Sequence, residues 1–273
     1  LIKSFVVSII ILIFVLHYSP HKTTTMQKQN WRSKYQRFSS TNENFEFLCS
    51  LLDNCRTLAI AIETLKGFNG GLSNPSKMPC FSYNIPAWEC KTGKKLMKVK
   101  GSTCNKCYAM RGRYVFSTTK NALYRRFFTI DKQMWVEAMT INIALLENSG
   151  FFRWHDSGDV QDNEHLDRIA QIAKNLPELK FWLPTREYGF VKNYQKELPK
   201  NLTVRQSAHM VDSVKEVRNK IASITVSNEQ KLKEMELDNV AICHATRPES
   251  SHKCEDCRAC WDKDVEVVAY IMH

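Results

Sequence analysis

Apolar residues follow two rhythms along this chain, and the switches between them outline an α/β protein. Residues 45–68, "FEFLCSLLDNCRTLAIAIETLKGF", carry helical spacing that "NGG" ends, which predicts an N-terminal helix over 46–70. Residues 118–148 read as one or two helices. "FFRWHDSGD" then reads as a strand running into a polar turn. "QDNEHLDRIAQIAKNL" reads as an amphipathic helix with Leu166, Ile169, Ile172 and Ala173 on one face. "LKFWLPTRE" is a second strand, "YGFVKNYQKEL" a helix and "LTVRQSAH" a third strand. "IASITVS", "NVAICHAT" and "VEVVAYIMH" complete the strand-like segments.

Strands alternating with helices predict parallel βαβ units. The expected fold is α/β, either a partial (βα)6-type barrel or an open parallel sheet, with a cysteine-rich C-terminal segment. Four stretches divide the chain: an extension or linker over 1–45, the helix at 46–70, an α/β core over 71–242, and a segment over 243–273 packed on that core. In parallel α/β folds ligands bind at the carboxyl ends of the strands. Here those ends read His155-Asp156-Ser157-Gly158-Asp159, Thr185-Arg186-Glu187, Ser207-Ala208-His209 and Cys243-His244. Caps and turns also select Asp, Ser and Thr, but four polar ends in register mark a candidate functional rim.

Composition sharpens this reading at one point, the cysteines. There are 10 in 273 residues, an apolar content of 43% that supplies ample core, and a net charge of +11. A disulfide framework suits small secreted domains with little core, so these thiols point to a reducing, cytoplasmic setting. Cys80, Cys90, Cys104 and Cys107 form one group, and Cys243, Cys254, Cys257 and Cys260 another. Cys49 and Cys55 fall on the first helix and read as buried core thiols. At the N-terminus, the apolar run from Phe5 to Leu16 is too short for a stable membrane span. It reads either as a signal-peptide core or as an upstream extension with Met26 as the start.

Two-residue spacings suit metal ligation. Cys254-x2-Cys257-x2-Cys260, with Cys243 upstream, matches ferredoxin-type iron–sulfur ligation, and zinc is the alternative. In the first group Cys104-x2-Cys107 is joined by Cys90. Three thiolates there would leave one iron open to a substrate, whereas adding Cys80 would close the site. Lys77, Lys98, Lys100, Arg111 and Arg113 nearby would favour thiolates and offset a cluster's charge.

The stretch "LSNPSKMPCFSYNIPAWECKTGKKLMKVKGSTCNKCYAMRGRY", with "FRWHDSGDVQDNEHL", "FWLPTREY" and "CEDCRACW", resembles the phage gene product 88 family. More distantly, Cys107-Tyr108-Ala109 after a cysteine pair looks like the cluster loop of radical S-adenosylmethionine (SAM) enzymes. Cys90 stands where the usual C-x3-C-x2-C would supply a third cysteine, and Asp159 where the Gly-Gly-Glu-type turn after the next strand would supply Glu. That likeness implies one or two 4Fe-4S clusters, SAM held by Ser157, Gly158, Asp159 and Tyr108, and an electron donor. It further implies a radical that takes hydrogen from a substrate, with His155, Asp156, Arg186 and Glu187 as catalytic candidates. Arg186 suits an anionic substrate. The rival is a zinc-stabilised nucleic-acid-binding protein, supported by the positive charge and by Tyr108, Tyr114, Trp154 and Trp182 as stacking rings.

Overall fold

Seven strands form one sheet: β1 (Ser82–Tyr83), β2 (Phe151–Trp154), β3 (Lys180–Thr185), β4 (Leu202–Ser207), β5 (Ala222–Val226), β6 (Val240–Ile242) and β7 (Val267–Ile271). All pairings are parallel, and the order is β1-β2-β3-β4-β5-β7-β6. The sheet is open and does not close into a barrel. The computed structural model describes residues 31–218, 220–247 and 249–272, and the chain from Arg32 onward forms one compact unit. Among the described residues no helix is long and apolar enough to cross a membrane. The signal-like run and Met26 lie outside the described residues.

Strand order decides where everything else goes. From β1 to β5 the chain steps in one direction, so right-handed crossovers place their helices on one face. The crossovers carry α5 (Ser117–Phe127) and α6 (Trp135–Leu146) before β2, α7 (Asn163–Asn175) before β3 and α8 (Tyr188–Asn193) before β4. The step from β6 to β7 runs backwards, toward β5. Its crossover, residues 243–266, therefore belongs on the opposite face. That crossover is the cysteine-rich segment.

The two faces differ as this predicts. Toward the helices, Tyr83 and Trp154 pair in register and pack with Trp135 of α6. Phe152 and Phe181 continue that layer. On the other face Ser82, Arg153, Trp182 and Thr203 form an in-register row across β1 to β4. Trp261 of the crossover covers it, with its ring centroid 5.3 Å from that of Trp182 and 5.4 Å from that of Phe151. Its indole N–H donates to the Phe152 carbonyl at 2.8 Å, and Thr203 Oγ1 donates to the Trp261 carbonyl at 2.8 Å.

Several elements depart from the sequence reading. The single helix over 46–70 is two, α2 (Glu43–Asp53) and α3 (Leu58–Asn69). Thr57 breaks the run by capping α3, its side chain accepting the Ile60 N–H at 3.3 Å. Residues 32–45 are no linker: they carry α1 (Ser33–Gln36) and bury Tyr35, Phe38 and Phe45. α8 stops at Asn193 because Tyr194 and Lys196 turn to Asp167 of α7, at 3.0 and 2.8 Å. α4 (Lys91–Leu96), α9 (Glu229–Glu234) and the two-residue β1 complete the described α-helices and strands. Segment 243–273 does more than pack on the core, since its β7 is inserted between β5 and β6. Cys49, on α2, and Cys55, in the link before α3 and not on a helix, are both buried thiols.

Trp261 is 3% exposed and ties the crossover to the sheet. Replacing it by alanine should cost about 3–5 kcal/mol in urea unfolding, a Trp-to-Ala core loss. Phe47→Ala, at a 45% exposed position, should cost less than about 0.5 kcal/mol. Equal effects would show that the crossover is not anchored through this ring.

Candidate metal centres

The first cysteine loop lies on the strand ends. It leaves β1, and Cys90 is the residue that opens α4. Glu187, at the end of β3, reaches across to this helix: the Thr92 N–H donates to Oε1 at 2.7 Å and Thr92 Oγ1 to Oε2 at 2.8 Å. Cys104 is pinned from below. Thr103 donates through its N–H and Oγ1 to the His209 carbonyl at 2.9 and 3.1 Å. Arg186 Nε donates to Thr103 Oγ1 at 3.0 Å, which sets a guanidinium beside Cys104.

Gly93 brings the thiols into relation. Its backbone is not in the left-handed region, so conformation does not require glycine there. A Cβ at Gly93 would stand 2.9 Å from Cys90 Cβ, 3.6 Å from Cys104 Sγ and 3.7 Å from Cys90 Sγ. The missing side chain keeps open the space that both sulfurs face. Burial, joined by Asp159, Cys107, Cys104 and Glu187, pushes the Cys90 thiol far up. Burial also raises Cys104. Raised thiols are poor nucleophiles, whereas metal coordination deprotonates a thiol outright.

The turn after β2 divides its residues between two faces. Asp156 accepts from Ser82 Oγ at 3.2 Å and from the Tyr114 hydroxyl at 3.1 Å, and the Tyr108 hydroxyl donates to its carbonyl. The Tyr108 ring is 53% exposed although its hydroxyl is tucked in. Ser157 Oγ donates to the Ile85 carbonyl at 2.9 Å. Gly158, at φ 86°, lies so close to Ile85 that a Cβ would meet its Cγ1 at 2.2 Å. Asp159 accepts from Thr185 Oγ1 at 2.6 Å and from the Arg186 and Val160 N–H groups at 2.9 and 2.8 Å. Burial raises this carboxyl to about 6 despite those bonds.

His155 goes elsewhere. With φ at 55° it turns its ring into the helix layer, where it meets His165 of α7 at 5.3 Å between centroids. The structure thus sets Asp159, Arg186 and Glu187 near Cys90 and Cys104, holds Asp156 apart with Ser82, Tyr108 and Tyr114, and turns His155 into the helix layer. Arg186 and Glu187 form no ion pair with one another.

The second group closes around a small cavity between the β6–β7 edge and the crossover. Cys243, Cys254, Cys257 and Cys260 all line it, with Ile242, Val268 and Trp261 as apolar walls. Burial raises Cys243 and Cys254, and pushes Cys260 up to about 12. Cys80, whose place in the sequence sets it with Cys90, stands instead near Cys254 on the open face. The Cys254 N–H fixes that neighbourhood by donating to the Lys77 carbonyl at 2.9 Å. Among the described residues, no three His, Cys, Asp or Glu side chains are gathered closely enough to hold a single metal ion as they stand.

Two charged residues on the open face were missed by sequence reasoning. Arg153 stacks over Trp182, 4.5 Å from the ring centroid, and donates to Met78 Sδ at 3.1 Å. Arg205 is 0% exposed and donates to six carbonyls, five of them on the crossover. The available signal was an arginine in mid-strand within "FFRW" and "LTVRQS", in a sheet type covered on both faces. By contrast Lys77, Lys98, Lys100, Arg111 and Arg113 are exposed. Trp154 and Trp182, taken as stacking rings for nucleic acid, are 0% and 4% exposed and serve the core.

A family model described as gene product 88 matches residues 51–263. No curated protein and no solved structure matches the chain.

The histidine pair makes its own prediction. Burial draws His165 from 6.5 down to about 3, and drives His155 well below 6.5. Both are neutral when folded, while the unfolded chain takes up protons below about pH 6.5. Their contribution is therefore complete above that pH and is lost as the pH falls toward the folded values. Between pH 7 and 5 the unfolding free energy should drop by about 2 kcal/mol per histidine. His165→Asn should remove about half of that slope in urea titrations. A slope unchanged by the substitution would mean that His165 is charged in the fold.

Proposed function

The chain belongs to the gene product 88 family, and on the geometry of its thiols we propose that it is an iron–sulfur enzyme with two centres. Cys90, Cys104 and Cys107 would hold the first, and Cys243, Cys254, Cys257 and Cys260 the second. The observation that carries this reading is the space Gly93 leaves between the sulfurs of Cys90 and Cys104. A cubane sets an iron corner under each thiolate, so its ligands stand further apart than those of one zinc ion.

A cluster on three thiolates would supply one-electron chemistry and leave one iron for an outside ligand, and SAM is the ligand we propose. Three features support the SAM-dependent reading. The cysteine loop follows β1 directly, the polar turn follows β2, and β1 to β5 stand side by side in chain order. The insertion of β7 inside β6 departs from a (βα)6 arrangement. In this reading Glu187 and Thr92 hold the Cys90 helix, while Arg186 and Thr103 hold Cys104. Ser157, Gly158 and Asp159 shape the turn through their bonds to Ile85, Thr185 and Arg186. Arg186 is the group suited to a substrate carboxylate or phosphate. Asp156, which accepts from the Tyr108 and Tyr114 hydroxyls, would be the proton acceptor in this reading.

Purification without oxygen should give a brown protein with iron and sulfide in equal amounts. Cys104→Ser and Gly93→Ala should each remove roughly half of the iron, as should Cys257→Ser from the other centre. Reductive cleavage of SAM should vanish in Cys104→Ser and persist in Cys257→Ser. A colourless protein with tightly held zinc would reject the iron–sulfur reading. Iron without any SAM cleavage would reject the SAM-dependent part alone.

A further inference from the structure

The positive charge of this chain is concentrated in one segment. Residues 90–128 hold eleven lysines and arginines and no aspartate or glutamate. The whole chain has 39 basic and 28 acidic residues, so outside this segment the two signs are equal at 28 each. Nine of the eleven cations are exposed. Among the described residues none of the eleven forms an ion pair with a carboxylate. The other two are placed by the fold. Arg126 is buried and donates to the Gly71 and Leu72 carbonyls, and the Lys120 ammonium lies 5.8 Å from the Trp88 ring centroid. A run of charge is most often a solvated face, so charge alone assigns nothing.

The aromatic content of the same segment is what sets it apart. Of the eight large hydrophobic side chains exposed among the described residues, six fall here, with Phe116 at 60% and Phe128 at 68%. The rings are held in place. Trp88 Nε1 donates to the Tyr124 hydroxyl at 2.7 Å, and Tyr124 stacks on Phe128 with centroids 5.7 Å apart and 13° between planes. Tyr108, tied by its hydroxyl to Asp156, packs edge-on against Tyr114 at 5.8 Å. These pieces are neighbours in space. The turn Ala87–Glu89 packs against α4 and against the turn Tyr108–Met110, while the turn Gly112–Val115 packs against both Tyr108–Met110 and α5. Lys91, Lys94, Lys95 and Lys98 have the i, i+3, i+4, i+7 spacing of one helix side, and all four are exposed along α4 and its end.

Exposed rings of fixed orientation, interleaved with unpaired cations, are what a single-stranded nucleic acid requires: stacking partners for its bases and positive charge along its phosphates. A duplex keeps its bases stacked inside and offers such rings nothing. An anionic membrane would match the charge, but it takes up a continuous apolar face, whereas Trp88, Tyr108 and Tyr124 are held back by hydrogen bonds. We propose that α4, the turns at 87–89 and 108–115, and α5 form a binding surface for a single-stranded polynucleotide. Phe116 and Phe128 are its stacking rings, and the lysines of α4 contact phosphates. The surface adjoins the first cysteine loop, but the proposal concerns binding alone. It therefore stands or falls separately from the iron–sulfur reading.

The test is fluorescence anisotropy of labelled strands of about 20 thymidines or uridines with the full chain, over a range of salt. Phe116→Ala and Phe128→Ala should each weaken binding by roughly five- to a hundred-fold, and the exposed Phe47→Ala, outside the surface, should not. Replacing Lys94, Lys95 and Lys98 together by glutamine should make log affinity against log salt shallower by about 2, at about 0.7 per phosphate contact. The same triple change at the exposed Lys200, Lys215 and Lys233 should leave that slope unchanged. All these positions are exposed, so an unmoved thermal midpoint separates lost binding from lost fold. Binding of the DNA strand, the RNA strand or both in this pattern supports the proposal and identifies the source. Failure of both strands to bind, equal binding of a duplex of the same length, or equal losses from the control substitutions would overturn it. Sedimentation of the protein with phosphatidylserine–phosphatidylcholine vesicles when neither strand binds would assign the surface to a membrane instead.

Discussion

The reversal of strand order at the β6–β7 edge is the constraint on which the molecule turns. A parallel connection must be right-handed to pack well, and stepping back toward β5 forces this one onto the face the helices leave bare. A sheet with helices on one side only would expose Trp182, Phe151 and the row beside them. The crossover covers that row with Trp261 and in doing so carries four cysteines over the sheet. Thiol convergence and coverage of the core thus share one topological cause.

The two candidate centres are built on different principles. At the first, contacts distant in sequence hold Cys90 and Cys104: Glu187 of the β3 end steadies the Cys90 helix, and Thr103 bonds the β4 end beneath Cys104. Such a site is only as rigid as the rim it borrows from. At the second, a single crossover supplies all four thiols, and Arg205 gathers its carbonyls from the strand below. Gly93 and Gly158 show the same economy of space at the rim. One leaves room between sulfurs, and the other lets the polar turn lie against Ile85.

Much of the fold was legible because burial leaves a local signature. The strands at "FFRW", "LKFWLPT" and "LTVRQS" and the helix over 163–175 show their period directly, and the rim of polar strand ends follows from them. What was hidden is non-local. Strand order has no imprint in any window, so the inserted β7 could not be read, and a two-residue β1 is too short to have a period. Cys80 looked like a neighbour of Cys90 along the chain, yet the sheet sets it beside Cys254. His155 sat among rim residues in sequence, but one left-handed backbone angle sent its ring to the helix layer. Arg153 and Arg205 were visible as charges inside strands and remained unread, because spacing drew attention to the cysteines.

The position of β6 has a consequence for biogenesis. It hydrogen-bonds to β7 alone, and β7 is made after the whole cysteine-rich crossover. During synthesis β6 therefore waits without a neighbour while the crossover emerges from the ribosome. In that interval the four thiols are accessible, and Trp261 has not yet been sealed over the sheet by the closing strand. Any chemistry on those thiols and the last step of sheet assembly thus share one window of time, which makes the order of translation part of how this architecture matures.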